Sequence, residues 1–244
     1  MSSRFPWDRV LNAGDSAMLL DFGVEIDPEV NARVLLTHQV IRRAGIPGLT
    51  GLIPAFATLL VEYDPLVVSR RVLVDALSRL DYGSFRVSRA RVFEIPVHYG
   101  GDSGPDLEMV ATQLHLSPKQ VVSLHTAVPY RIYCLGFSPG FPLAGILPPA
   151  LRVPRRSFPR PAVFPGAVAI AGSQTGIYPA ATPGGWNLIG RTPLLLFDPQ
   201  RWPPCAYQPG DSLWFRSISS DEYEQISAGD PAWPQPSARW KGAP

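Results

Sequence analysis

Between Gly136 and Thr192 the chain is so dense in glycine and proline that no ordinary helix can run through it. Glycine opens backbone conformations closed to other residues, and proline fixes φ and removes an N–H donor, so this stretch must be built from loops and short strands. It opens with Gly136-Phe137-Ser138-Pro139-Gly140-Phe141-Pro142 and passes through Pro154-Arg155-Arg156-Ser157-Phe158-Pro159-Arg160. It closes with Gly172-Ser173-Gln174-Thr175-Gly176-Ile177-Tyr178-Pro179 and Pro183-Gly184-Gly185-Trp186-Asn187-Leu188-Ile189-Gly190-Arg191-Thr192. Aromatic rings and arginines recur in it and carboxylates are scarce. The 28 prolines of the chain are roughly twice the ~5% share of an average protein, and most follow residue 95, so the two halves obey different rules.

The first third reads as an α/β unit. Asn12-Ala13-Gly14-Asp15 is turn chemistry between two apolar runs, which predicts a hairpin over 8–23. Asp27 and Pro28 start a helix with Val30, Val34 and Ile41 on one face, and Gly45 and Pro47 end it. Leu52 to Tyr63 is apolar on both alternating faces and predicts one central strand. Asp64-Pro65 is the expected start of a second helix carrying Leu66, Leu73, Leu77 and Leu80. No G-x-G-x-x-G or P-loop occurs there, and His38 reads as a packed or solvated surface histidine.

A second unit begins with Ser88–Tyr99, a half-buried strand with Pro96 expected at an edge or an end. Leu107, Val110, Ala111 and Leu114 mark a short helix, and Ser117-Pro118-Lys119-Gln120 is a capping box for the next. The pair lacks the base-reading and phosphate-binding side chains of a recognition helix, so it reads as a plug in the mouth of a barrel. Short strands at 129–136, 167–172, 186–191, 194–197 and 212–218 predict that barrel. The expected division is an N-terminal domain over 1–87, a barrel domain over 88–221, and a tail over 222–244. From Ala228 the tail bears Pro and Trp without pattern, and is expected to be disordered or to dock on a partner.

A net charge of +2 argues against binding nucleic acid or anionic membrane through bulk charge. Cys134 and Cys205 read as reduced core thiols, and no Cys/His spacing suggests a metal. The N-terminus lacks an export signal, and no run approaches the ~18 apolar residues of a membrane span, so a cytoplasmic protein is expected.

The Gly/Pro-rich stretch carries no Ser/His/Asp spacing and no nucleophile elbow, and paired acids are absent between Glu108 and Asp198. What remains is cations, neutral donors and exposed backbone. Arg155, Arg156, Arg160 and Arg191 can hold anionic oxygens in bidentate fashion. Gln174, Thr175 and Asn187 can read an amide. Gly172, Gly176, Gly184 and Gly185 can let backbone N–H groups approach a ligand, with Phe137, Phe141, Tyr178 and Trp186 as walls. The competing reading makes the stretch barrel corners and core, Arg155-Arg156 a solvated turn and His125 a satisfied structural histidine.

These motifs, together with Ile95-Pro96-Val97-His98-Tyr99-Gly100, Gly104-Pro105-Asp106-Leu107 and Tyr130-Arg131-Ile132-Tyr133, resemble the B-subunit family of 5-oxoprolinase over nearly the whole chain. That family is also called allophanate hydrolase subunit 1. It includes the Kip-type inhibitor of a histidine kinase and half of the carboxyltransferase region of urea carboxylases. The resemblance implies an α+β protein with a small N-terminal α/β domain, of ferredoxin-like type, and a cyclophilin-like β-barrel. The implied reaction is ATP-dependent opening of 5-oxo-L-proline to L-glutamate, with ATP and Mg²⁺ bound at the interface with a partner. A companion barrel of the C-subunit type and a lactam-utilising chain of the A-subunit type complete the enzyme, and this chain alone is expected to be inactive. The resemblance leaves the Kip-type inhibitor and a carboxyltransferase component as alternatives. On this basis Arg160, Gln174 and Arg191 are the expected catalytic groups. Phe137, Gly140, Tyr178, Gly184, Gly185, Trp186 and Asn187 are the expected substrate contacts, and His98 and His125 the weaker candidates for a base. Many relatives carry Tyr-Leu-Gly-Gly after Phe141-Pro142. Here Leu143-Ala144-Gly145-Ile146 stands instead, and one ring is lost from the pocket wall. No biotin-accepting Met-Lys-Met occurs.

Overall fold

A computed structural model describes residues 5–83, 90–229 and 232–237. The chain separates into two compact units, Met1–Arg89 and Ala90–Pro244. The expected boundary after residue 87 lies outside the described residues.

In the first unit, β1 (Arg9–Asn12) and β2 (Ala17–Asp21) form the expected hairpin. Helix α1 (Pro28–Ala44) starts where the Asp27 carboxylate accepts the N–H groups of Glu29 and Val30, and it stops at Gly45 in the left-handed region. The expected single strand over Leu52–Tyr63 is two strands, β3 (Leu49–Pro54) and β4 (Thr58–Tyr63). Pro54 has no N–H with which to continue a ladder, and the Ala55 N–H turns back onto the Thr58 carbonyl. Asp64 does not start a helix either. Its carboxylate accepts the Leu66 N–H in a turn, Leu66 is left exposed, and α2 (Arg70–Ser78) begins later under a Ser69 cap. The sheet is antiparallel in the order β1-β2-β4-β3. The element order is therefore ββαββα, in place of the βαββαβ order of a ferredoxin-like domain. Met18, Leu20, Leu59, Val61, Val34, Ile41, Leu73 and Leu77 close its core.

The second unit runs β5 (Val92–Tyr99), α3 (Leu107–Gln113), α4 (Pro118–Thr126), β6 (Tyr130–Leu135), β7 (Pro142–Gly145), β8 (Arg160–Val163), β9 (Ala167–Ala171), β10 (Gln174–Ile177), β11 (Thr182–Gly184), β12 (Asn187–Arg191), β13 (Ser212–Ser217) and α5 (Ser220–Ser227). Seven of these strands close a barrel in the order β10-β7-β6-β13-β5-β12-β9, and β8 pairs with β11 as a separate ribbon. Pro96 is not on an edge strand. It sits where β5 has β13 on one side, while β12 pairs further along, at His98 and Tyr99. Residues 194–197 form no strand. The capping box at Ser117 and Gln120 is present, and α3 and α4 send Leu107, Val110, Ala111 and Val121 into the barrel core. Cys134 and Cys205 are free and buried.

Part of the tail is ordered against its own barrel. The Ser237 N–H donates to the Val92 carbonyl, Pro236 bridges to Phe93, and the Leu195 N–H donates to the Ala232 carbonyl. The Arg201 guanidinium covers the Trp233 ring at 4.8 Å. Among the described residues no helix is long and apolar enough to cross a membrane.

Strand alternation then decides where a site can form. On β9, Val168 and Ile170 point into the barrel with Ile177 and Ile189. Ala167, Ala169 and Ala171 face the other way, and their small side chains leave room for Phe141, Tyr178, Trp186 and Leu188. An aromatic layer therefore forms on the outer face of the barrel, beneath the β8–β11 ribbon.

Candidate functional site

A cavity of about 200 Å³ opens in this outer layer. Phe137, Phe141, Leu143, Tyr178 and Trp186 form its apolar walls. Gly184 and Gly185 from the end of the ribbon, with Arg155, Arg156 and Pro159, form the rest. The rings meet edge to face: Phe141 lies 5.0 Å from Tyr178 and 5.6 Å from Trp186, both at 87°. Phe137 packs on both Phe141 and Tyr178, yet stays 66% exposed at the rim. Its φ of 66° is a conformation that costs a bulky residue energy, and the tight loop between β6 and β7 holds it there. Gly184 is dictated by closeness, since a Cβ there would fall on the Tyr178 hydroxyl. Burial pushes the Tyr178 phenol up, against the Trp186 backbone N–H and the charges of Arg155 and Arg160, which favour the phenolate.

The arginines are organised by a carboxylate from outside the Gly/Pro-rich stretch. Asp106 stands at the N-cap of α3 but makes no capping bond. Its side chain, 5% exposed, accepts Arg156 Nη1 and Arg160 Nη2 through Oδ1, each at 2.8 Å, and the Leu188 N–H through Oδ2 at 2.7 Å. The Asp106 N–H donates in turn to the Leu188 carbonyl. Gly104 makes this approach feasible, because a Cβ there would meet the Ile189 carbonyl. Arg156 is also pinned by its backbone N–H to the Gly185 carbonyl. Two guanidinium nitrogens, Arg156 Nε and Arg160 Nη1, are buried without a partner. Arg155 is exposed.

Of the expected substrate contacts, the cavity gathers Phe137, Tyr178, Gly184, Gly185 and Trp186. The others lie elsewhere. The Asn187 amide donates to the carbonyls of Pro154 and Ile170, so it staples the arginine-bearing loop to β9 and lies outside the cavity lining. Gly140 takes φ 80°, and its carbonyl accepts the Tyr207 hydroxyl. Of the expected catalytic groups, Arg191 donates to the Pro165 carbonyl and covers Phe164, away from the cavity lining. Gln174 shares the outer face of β10 with Gly176 without lining the cavity, and Arg160 reaches the site through Asp106. Gly172 forms the β9–β10 hairpin turn at φ 56°.

Neither histidine lines this cavity. His125 is fully buried, stacked 4.4 Å from Phe215. The Thr175 hydroxyl donates to the Ala169 carbonyl, so it accepts from His125 Nε2, which leaves Nδ1 to accept from Tyr99. Burial holds this imidazole down at about 3. His98 Nδ1 lies 2.9 Å from the Ser103 hydroxyl.

Asp106 lies in the Gly104-Pro105-Asp106-Leu107 run of the sequence, but nothing local marks its carboxylate as the partner of arginines 50 and 54 residues further on.

The class is given by the sequence of this barrel and the unit before it: residues 8–207 match the family Carboxyltransferase domain, subdomain C and D, and the chain belongs to it. Within that class the similarity is to the B subunit of 5-oxoprolinase. The Bacillus subtilis protein of that name is 44% identical over 224 residues, covering 86% of this chain and 92% of the relative. The Escherichia coli O157:H7 protein is 42% identical over 206 residues, covering 83% and 92%. Among solved structures, TTHA0988 superposes with a TM-score of 0.76 at 44% identity, covering 84% of this chain, which spans 40% of that longer chain. The Kluyveromyces lactis urea carboxylase, 21% identical with a TM-score of 0.69, shares the fold over 90% of this chain and 22% of its own.

Proposed function

We propose that this chain is a component of an ATP-dependent 5-oxoprolinase that hydrolyses 5-oxo-L-proline to L-glutamate. The observation that carries the reading is identity above 40% to proteins named as the B subunit of 5-oxoprolinase, extending through both compact units. The outer-face cavity is the site in this reading, and the barrel is of the cyclophilin-like type. A B subunit works beside other subunits, which we take to be a companion barrel and a lactam-utilising chain, and it is inactive without them.

The chemistry suits a surface of cations and backbone donors. A lactam carbonyl is a poor electrophile. Transfer of the γ-phosphoryl group of ATP to its oxygen, with ADP leaving, activates the ring carbon. Water then adds, the ring C–N bond breaks as nitrogen takes a proton, and a second water releases phosphate from the acyl phosphate. Developing negative charge is held by guanidinium groups such as those on Asp106. The Mg²⁺-bound nucleotide is placed at the interface with the companion barrel.

The deciding experiment purifies the chain with its companions and follows glutamate release from 5-oxo-L-proline. Release that requires ATP and all subunits is expected. No release from the full complex would sink the reading.

A further inference from the structure

We propose that the outer-face cavity is the subsite for the lactam acid itself: it takes a small, flat, singly charged carboxylic acid and leaves the nucleoside triphosphate to be held elsewhere. This rests on the reading of the chain as a 5-oxoprolinase component, and it decides which of the two substrates this chain holds.

Room is the first argument. The cavity, about 200 Å³, falls below the ~300–1,000 Å³ of pockets that enclose drug-sized ligands. A five-membered lactam acid suits the smaller volume. A nucleoside triphosphate is several times larger.

Charge is the second. Arg155, Arg156 and Arg160 stand against the single carboxylate of Asp106, so the surplus is positive but small. It matches one carboxylate better than a triphosphate, whose sites gather backbone N–H groups, a lysine and a metal ion.

The third argument is the placement of the guanidinium groups. A ligand carboxylate in the cavity meets Arg156 in its lining, with the exposed Arg155 closing over it. Asp106 is a positioning residue here. By holding Arg156 from one side, with Arg160 on the same oxygen, it fixes the lining guanidinium group before a ligand arrives, which removes part of the ordering cost of binding. The edge-to-face rings of Phe141, Tyr178 and Trp186 supply a dry wall for the flat ring.

The test titrates the full-length chain by calorimetry with 5-oxo-L-proline, with 2-pyrrolidinone, which is the same lactam without its carboxylate, and with ATP. The expected result is saturable binding of the acid, binding of the neutral lactam at least tenfold weaker, and no competition from ATP. Arg155→Ala, at an exposed position that the fold does not need, is expected to lower acid affinity to the level of the neutral lactam. Absence of acid binding, equal affinity for the two lactams, or displacement of the acid by ATP overturns the proposal. The functional reading is judged separately by turnover of the assembled complex. Acid binding without turnover removes that reading and keeps the subsite, whereas turnover without acid binding to this chain does the reverse.

Discussion

Asp106 illustrates how one side chain can set the chemistry of a surface it does not belong to in sequence. Its carboxylate is buried, yet every oxygen is used: two guanidinium groups on one and a backbone N–H on the other. Removing it leaves Arg156 and Arg160 facing each other with no counter-charge. Because both arginines keep a quarter to a third of their side-chain exposure, water softens that repulsion. Asp106→Ala is therefore expected to cost about 3 kcal/mol, within the range for lost charged hydrogen bonds in a buried setting, read as a lower urea midpoint. An unchanged midpoint would mean that the network contributes nothing net. Gly184 makes a complementary point about space. A methyl group at this position meets the Tyr178 phenol, so Gly184→Ala must push the ring or the ribbon. About 1–3 kcal/mol of overpacking strain and a loss of acid binding are expected together. Retention of both stability and binding would show that the ribbon yields freely.

At the level of elements, the site depends on a loop that has little regular structure of its own. Residues 154–159 are held by Asn187, by the bond from Arg156 to Gly185, and by the Asp106 pair. Asn187→Ala leaves the carbonyls of Pro154 and Ile170 short of a donor. About 2 kcal/mol of destabilisation is expected, with faster amide exchange centred on the 154–160 loop while exchange in β5 and β13 stays slow. Uniform acceleration across the barrel would contradict a local staple. The same elements explain what could be read from sequence. Caps and turns were legible because Asp27, Gly45 and Ser117 act on their immediate neighbours. The break at Pro54 was missed because apolar residues continue on both sides of it, and hydrophobicity alone cannot distinguish one long strand from two that pair. Walls of the cavity were legible as aromatics and glycines. The division of labour among polar residues was not, since it depends on pairings across the fold: Asn187 to Pro154, Arg191 to Pro165 and Arg160 to Asp106.

For the molecule as a whole, acid sensitivity follows from the barrel interior. His125 closes a polar chain from Tyr99 through Thr175 to the Ala169 carbonyl, and each member already has a partner. A proton on Nδ1 would break the bond from Tyr99 and place a charge between Phe215 and Tyr130 with no carboxylate in hydrogen-bonding contact. The folded imidazole is therefore held down at about 3, whereas in the unfolded chain it titrates near 6.5. A depressed folded value means that the unfolded chain binds the extra proton first. The contribution is fully present above pH 6.5 and is lost as pH falls toward 3, at about 1.4 kcal/mol per pH unit, or roughly 5 kcal/mol across the window. That is comparable to the net stability of an ordinary domain, so the barrel is expected to unfold in mild acid. Chemical denaturation at pH 7.5, 6 and 5 measures the slope. His125→Gln, which keeps a donor and an acceptor but does not titrate, is expected to be less stable at pH 7.5 and to flatten the profile between pH 6.5 and 4. If the variant keeps the wild-type slope, the acid sensitivity originates in the carboxylates, with Asp21, depressed chiefly by the Gly23 backbone N–H, as the next group to substitute.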